Sequence, residues 1–412
     1  MKNNKLKKVL GFWDLLFFGV GSIVGAGIYA IIGEAAALSG NLLWLSFVLA
    51  AVVALLTGLS YSEFVSRFPD AGGSFEYIKQ SMGMKTALFM SFFMAFTGIV
   101  AAAAIALSFA DYLGRLTDIS WRIIVVGIIF FMTAFNTIGS KMSSYFNSLA
   151  TIITLLGLVF VIVVSLPNFE NTNLLEATES GWHGIFAGSA LIFFSYIGFE
   201  DLVKMAEETN KPKTNMPKAI ILSSVIVLIL YVFIAISALG TLHWKTLSTS
   251  GGPLAEVIES EIGSVGATLL IVVALFATSK TILSNILGTS RLFYDVARDS
   301  KIANLKKLTI LLGPGKTPVY AIALIGLLSL SFAMVGNLKV VASISNVFIF
   351  IVFGMVNLAL LKFRLSHKEK EHEQPPFRVP FNIKNIPVPT VLALLSTLVF
   401  FGYNIYNILE GF

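Results

Sequence analysis

Apolar residues run along this chain in blocks of about 20 or more, divided by short polar or charged segments. That is the length an α-helix needs to cross a bilayer. Eleven such blocks predict eleven helices, at 11–34, 42–64, 85–113, 121–139, 145–167, 183–206, 218–241, 263–290, 317–335, 339–363 and 387–408. Two blocks break their own pattern. The first contains Gly21-Ser-Ile-Val-Gly-Ala-Gly27 and the sixth Phe194-Ser-Tyr-Ile-Gly-Phe-Glu200, with glycine and polar residues where a spanning helix is normally continuous. Backbone released from helical hydrogen bonding inside lipid has to be buried in protein or line a polar cavity. The pattern therefore predicts an all-α polytopic membrane protein whose first and sixth helices are interrupted.

Composition agrees. With 412 residues, 56% hydrophobic, 13% charged and a mean hydropathy of +0.84, the chain has too few charges to cover a soluble globule, and no separate soluble domain is visible. Residues 1–412 read as a single membrane domain. Met1–Lys8 leads directly into a block too long for a cleavable leader, so none is expected. Cysteine is absent, which excludes disulfides and thiolate metal sites. Alternation of the eleven blocks puts 24 basic residues on one side and four, Arg115, Arg122, Lys245 and Lys339, on the other; Lys280 remains inside a block. This bias predicts a cytoplasmic N-terminus. The net charge of +6 then faces anionic lipid headgroups and not nucleic acid.

Paired breaks suit a zwitterion. Amides at the start of a half-helix carry partial positive charge, so Gly25, Ala26 and Gly27 would receive a carboxylate. Carbonyls at the end of a preceding half-helix carry partial negative charge, and Ile23, Phe194 and Ile197 would accept from an ammonium group. Glycine removes the Cβ that would hold a ligand away from the main chain. Close packing of small residues between helices is the competing explanation, and the matching second break weighs against it. Ser22, Ser195, Tyr196 and Phe199 surround the expected site, and Glu200 alone brings a charge near its inner edge. Such a lining favours a neutral amino acid, apolar or small, over arginine, lysine or a polyamine.

Five ordered stretches carry a family resemblance: Gly19-Val-Gly-Ser-Ile-Val-Gly-Ala-Gly-Ile-Tyr29, Tyr61-Ser-Glu-Phe-Val-Ser-Arg-Phe-Pro-Asp-Ala-Gly-Gly73, Phe193 to Asp201, Glu207 to Ile220 and Ser290-Arg-Leu-Phe-Tyr-Asp-Val-Ala-Arg-Asp299. In order and spacing the chain resembles the amino acid-polyamine-organocation (APC) transporters over essentially its whole length. The resemblance implies a LeuT-like fold, with helices 1 to 5 (about 11–167) and 6 to 10 (about 183–363) as inverted repeats and 387–408 as an extra peripheral helix. It assigns the break positions to α-carboxylate and α-amine recognition, and Phe194 to closing over the ligand. Many relatives have twelve helices, whereas eleven are expected here, and the oligomeric state stays open.

Three ionisable residues compete for the coupling role: Lys280, Glu200 and Asp14, the last beside Trp13 near the inner interface, where a snorkelling or loop-paired carboxylate is the favoured alternative. A charge at a helix centre costs roughly 2.5–3.5 kcal/mol on insertion scales, so each needs a partner. Lys280, with Thr278 and Ser279, matches the place where sodium-coupled relatives hold an ion between helices 1 and 8. Some proton-coupled relatives put an amine on helix 5, where this chain has Thr154. Lys280 is expected to supply that cation from the opposite wall and to loosen helix 1 on losing its proton; a permanently charged structural lysine is the alternative. Glu200 aligns with a glutamate implicated in proton coupling in some relatives, or is plain polar lining.

Enzyme chemistry is not expected. His183, His243, His367 and His372 are dispersed, and neither a metal site nor a cofactor site has recognisable spacing. Pore-lining charge rings are also missing. The expected function is proton-coupled uptake of an amino acid by alternating access, in the cell membrane. Exchange, a cationic amino acid or polyamine permease, and a non-transporting amino acid sensor stay open.

Overall fold

The computed structural model describes residues 8–69, 73–168, 173–176, 178–299, 303–312, 316–366 and 374–411. Lys2, Lys5, Lys7, residues 70–72 of the second motif, Lys301, His367, Lys368, Lys370, His372 and Phe412 lie outside the described residues.

Long apolar blocks form helices because nothing in lipid can satisfy a free amide or carbonyl except the segment itself. The first crossing is made of α1 (Phe12–Ile23) and α2 (Gly27–Ser39). Crossings two to five are α3 (Leu43–Arg67), α5 (Met84–Gly114), α6 (Trp121–Ile138) and α7 (Ser140–Ser165), with the short α4 (Ser74–Met82) between the first two of these. The sixth joins α8 (Gly181–Ile192), a 3₁₀ turn over Phe193–Tyr196, α9 (Phe199–Leu202) and a second 3₁₀ stretch over Val203–Glu208. Then come α10 (Pro212–Thr241), the short α11 (Trp244–Thr249), α12 (Pro253–Asp299), α13 (Val319–Ala333), α14 (Leu338–Ser366) and α15 (Val388–Gly411). Among the described residues, nine stretches are long and apolar enough to span a membrane by themselves. The broken first crossing and the short α13 bring the described crossings to eleven. Helix α12 begins at Pro253 and turns at Gly263 (φ 78°) before its long crossing. Just before α15, β1 (Asn382–Ile383) and β2 (Ile386–Pro387) make a small antiparallel hairpin.

Packing is by small residues in close approach. A Cβ placed on Gly157 would lie 2.4 Å from Val273, and one on Gly98 would lie 2.1 Å from the Thr289 hydroxyl, so α7 and α5 each press against α12. Large apolar side chains such as Phe89, Phe130, Phe131 and Leu156 are exposed on the outer surface of the bundle, as lipid contact requires. The amides of Val9 and Leu10 donate to the Glu208 carbonyl and tie the N-terminal segment to the end of the sixth crossing, on what we call the N-terminal face. On the opposite face, Asn41 and Trp44 donate to the carbonyls of Asn173 and Leu174.

Candidate functional site

Both interruptions exist and they meet. The first crossing leaves helical geometry at Val24 (φ −75°, ψ 82°) and resumes at Gly27. The sixth becomes extended at Ile197 (φ −65°, ψ 132°) and turns at Gly198 with φ 139°, a conformation that glycine adopts without penalty. A Cβ on Gly27 would lie 2.6 Å from the Ser195 Cα, and one on Gly198 would lie 2.5 Å from the Ser22 carbonyl oxygen. Each break thus presents a glycine to a serine of the other, with no room for a methyl group. Inside this junction the Ser195 hydroxyl is buried and has no hydrogen-bond partner among the described residues.

Side chains from α10 and α12 finish the junction. The Tyr231 hydroxyl lies 3.2 Å from the Ile23 carbonyl and 3.3 Å from the Ser195 carbonyl, so one α10 donor serves both breaks. Its ring packs edge-on against Tyr196 and Phe47, with centroids 5.3 Å and 5.8 Å away. The Gly25 amide closes a tight turn onto the Ile23 carbonyl at 2.8 Å. The Ala26 amide donates to the Thr281 hydroxyl at 3.1 Å. Two of the three amides expected to meet a carboxylate are therefore engaged within the protein.

Lys280 reaches the other end of the first break. Its Nζ donates to the Gly21 carbonyl at 3.0 Å, the Val24 carbonyl at 2.9 Å and the Thr151 hydroxyl at 2.9 Å. Those carbonyls lost their helical donors when α1 ended, and an ammonium with three N–H groups replaces them. Adjacent residues of α12 therefore treat the break as a dipole: Lys280 neutralises its carbonyl end while Thr281 accepts from its amide end. Thr151 is the α7 residue that meets Lys280. Thr154, one turn on, donates to the Ala150 carbonyl at 2.7 Å, and its own carbonyl accepts from the Tyr29 hydroxyl at 3.2 Å. Thr278 bonds back to Ala274 within α12 at 2.8 Å, and Ser279 is buried beside it.

Glu200 accepts from the Gly198 amide at 2.8 Å and so holds the turn of the second break, just before the short helix that follows it. Asp201 pairs with Lys204 on the N-terminal face. Ile23, Phe194 and Phe199 are buried, and Ser22 and Ile197 are partly exposed.

Beyond the junction, the opposite face carries a cavity of about 40 Å³ lined by Tyr29, Glu34, Ser108, Asp111, Tyr112 and Ser250 among others. An adjoining open cleft of about 550 Å³ holds Arg115, which pairs with Glu256 at 3.2 Å and Glu259 at 2.6 Å. The N-terminal face carries a buried ion cluster. Glu63 of α3 accepts from Arg364 of α14 through both carboxylate oxygens, from the Arg67 Nε at 2.9 Å and from the Val379 amide at 2.8 Å. Burial of this carboxylate is tolerable only because every lone-pair direction has a donor.

Tyr231, Thr281, Thr151 and Arg364 were not singled out from sequence. Tyr231 did carry a signal, as a hydroxyl-bearing ring directly after the aliphatic run from Val225 to Leu230, and Thr281 adjoins Lys280. Arg364 carried none, since a basic residue near a span end reads as a headgroup anchor.

Comparison with known proteins fits this geometry. The chain is 28% identical over 385 residues to the vacuolar cationic amino acid transporter 8 of Arabidopsis thaliana, covering 89% of this chain and 65% of that one. It is 26% identical to the branched-chain amino acid permease BcaP of Bacillus subtilis, over 95% of this chain and 87% of the relative. A methylthioribose transporter of Bacillus subtilis is 24% identical over the same shares. The chain spans less than two thirds of the length of these plant cationic amino acid transporters. A family model described as amino acid permease matches residues 10–408, nearly the whole chain. Two interrupted membrane helices in contact, within a match of that extent, make this chain a member of the amino acid permease family of the APC superfamily.

Proposed function

We propose that the chain takes up a neutral amino acid by proton-coupled symport with alternating access, its two breaks holding the α-carboxylate and α-ammonium groups. The observation that carries this reading is the apposition of Gly27 with Ser195 and Gly198 with Ser22, with a buried Ser195 hydroxyl between them that has no partner among the described residues. An incoming carboxylate competes with Thr281 for the Ala26 amide, and an ammonium group competes with Tyr231 for the Ile23 and Ser195 carbonyls. Binding therefore exchanges contacts inside the protein for contacts to the ligand, which lets occupancy change how the two breaks sit.

Charge balance supports a neutral side chain, because Lys280 is the cation beside the junction and its partners are carbonyls and a hydroxyl. Loss of its proton would leave the Gly21 and Val24 carbonyls without an ammonium donor, which gives protonation a hold on α1. The orientation proposed has the N-terminal face in the cytoplasm, from the basic-residue bias, in the cell membrane, with a five-plus-five inverted repeat behind the two breaks. A proton crossing 100 mV gains roughly 2.3 kcal/mol, enough to drive accumulation.

A cationic substrate is the second reading. Glu34 and Asp111 line the cavity on the opposite face, next to Tyr29 of α2, and would attract a basic side chain. The plant relatives' names point the same way. The deciding experiment is uptake of the twenty amino acids into proteoliposomes, with and without a pH gradient. Neutral substrates that accumulate only with the gradient support the first reading. Preferred uptake of lysine or arginine supports the second, gradient-independent swapping supports exchange, and binding without uptake would reassign the chain as a sensor.

A further inference from the structure

We propose that Asn346 of α14 and Asn404 of α15 are positioning residues for the second break, which makes α15 part of the binding machinery and not a peripheral addition. The proposal deepens the reading of that break as a substrate site.

Helix α8 ends at Ile192 and tightens into the 3₁₀ turn of Phe193–Tyr196. Ending a helix strands the carbonyls of its last turn, and the bilayer interior offers no water to take their place. The Phe193 amide is shared between the Ser189 and Leu191 carbonyls. Side-chain amides supply further donors. Asn404 Nδ2 donates to the Ala190 carbonyl at 3.0 Å, and Asn346 Nδ2 donates to Ala190 at 2.9 Å and Leu191 at 3.2 Å. Both asparagines are fully buried, and neither Oδ1 has a partner among the described residues. A buried acceptor left unpaired is a cost, so it is the donor half of each amide that justifies its place. Phe350 of α14 and Phe400 of α15 flank Phe193 at 4.6 Å and 6.3 Å between ring centroids, holding the same turn from the same two helices. Phe194 and Ser195, the next residues along, inherit their position from this clamp.

A control is built into α15. Asn407 donates to the Ala187 carbonyl at 3.1 Å, inside the regular part of α8 and away from its end. A purely structural role would make Asn404 and Asn407 equivalent, whereas positioning of the break separates them.

The chain contains no cysteine, so Ser195→Cys introduces a sole thiol inside the break. The experiment measures its N-ethylmaleimide labelling rate in the purified full-length protein. Asn404→Leu and Asn346→Leu should each raise that rate roughly fivefold or more, the scale of losing one hydrogen bond from a local equilibrium. Asn407→Leu should stay within about twofold of the parent. If Asn404→Leu is not recovered as monodisperse protein, Asn404→Ser, too short to reach Ala190, carries the same expectation. Equal rates in the Asn404 and Asn407 variants, raised or not, overturn the proposal. Uptake of labelled leucine and lysine by the cysteine-free protein is measured in parallel. Its absence would count against transport of these substrates, while the labelling comparison still decides the positioning role.

Discussion

Gly27 and Ser195 touch through their main chains: a methyl group on Gly27 would come within 2.6 Å of the Ser195 Cα. Because the obstacle is backbone, no side-chain rotation can relieve it. Gly27→Ala should force the breaks apart at a cost of about 1–3 kcal/mol, typical of overpacking. Uptake should fall at least tenfold while the protein still purifies as folded material. Proteoliposome uptake alongside a thermal melt checks this, and wild-type uptake in the variant would remove the junction as the site.

Replacing Lys280 with Met withdraws the donor to Gly21, Val24 and Thr151 while keeping much of the volume. Under the proton-symport reading, wild-type uptake rises as the pH on the entry side falls. Lys280→Met should flatten that dependence, leaving slow exchange. A retained pH profile in the mutant would make Lys280 a fixed structural cation.

Tyr231→Phe deletes one hydroxyl that serves two carbonyls. At about 0.5–1.5 kcal/mol per neutral hydrogen bond, coupling between the breaks should weaken by roughly tenfold. The change is expected in kcat more than in stability, read from initial rates over a substrate series and a melting curve.

Glu63→Gln addresses the cluster on the N-terminal face. Breaking a buried pair by removing one partner typically costs about 3–5 kcal/mol, because the charge left behind has no counterpart. The variant should lose stability to that extent in a denaturation series in detergent, and Arg364→Met combined with it should recover part of the loss. A destabilisation below about 1 kcal/mol would mean that water reaches the cluster.

Glu34→Gln and Asp111→Asn separate the two substrate readings. If a basic side chain is attracted to the cavity these residues line, inhibition of uptake by lysine and arginine should weaken at low salt, and weaken less at high salt where charges are screened. Uptake of leucine should be untouched in either variant if the substrate is neutral.

Much of the architecture is legible in the chain itself. Blocks of about 20 apolar residues announce membrane helices because lipid permits few other backbone states, and the predicted 121–139 span became α6 at Trp121–Ile138. Glycine at 25, 27 and 198 marked the interruptions because a missing Cβ is a local property, readable wherever it occurs. The buried Lys280 was equally visible, as a charge where insertion disfavours one.

What the chain does not spell out is which distant residues answer those local features. Gly27 against Ser195 depends on two segments separated by more than 150 positions coming together. The reach of Lys280 to Gly21, Val24 and Thr151, the double donation of Tyr231, and the capture of Ala190 by Asn404 depend likewise on helix rotation and depth. The sequence by itself determined where backbone groups would be released, because that follows from local propensity and the bilayer's lack of water. Only the tertiary structure decided which donors and acceptors satisfy them, because a hydrogen bond needs its partners within about 3 Å and a periodicity cannot supply that distance.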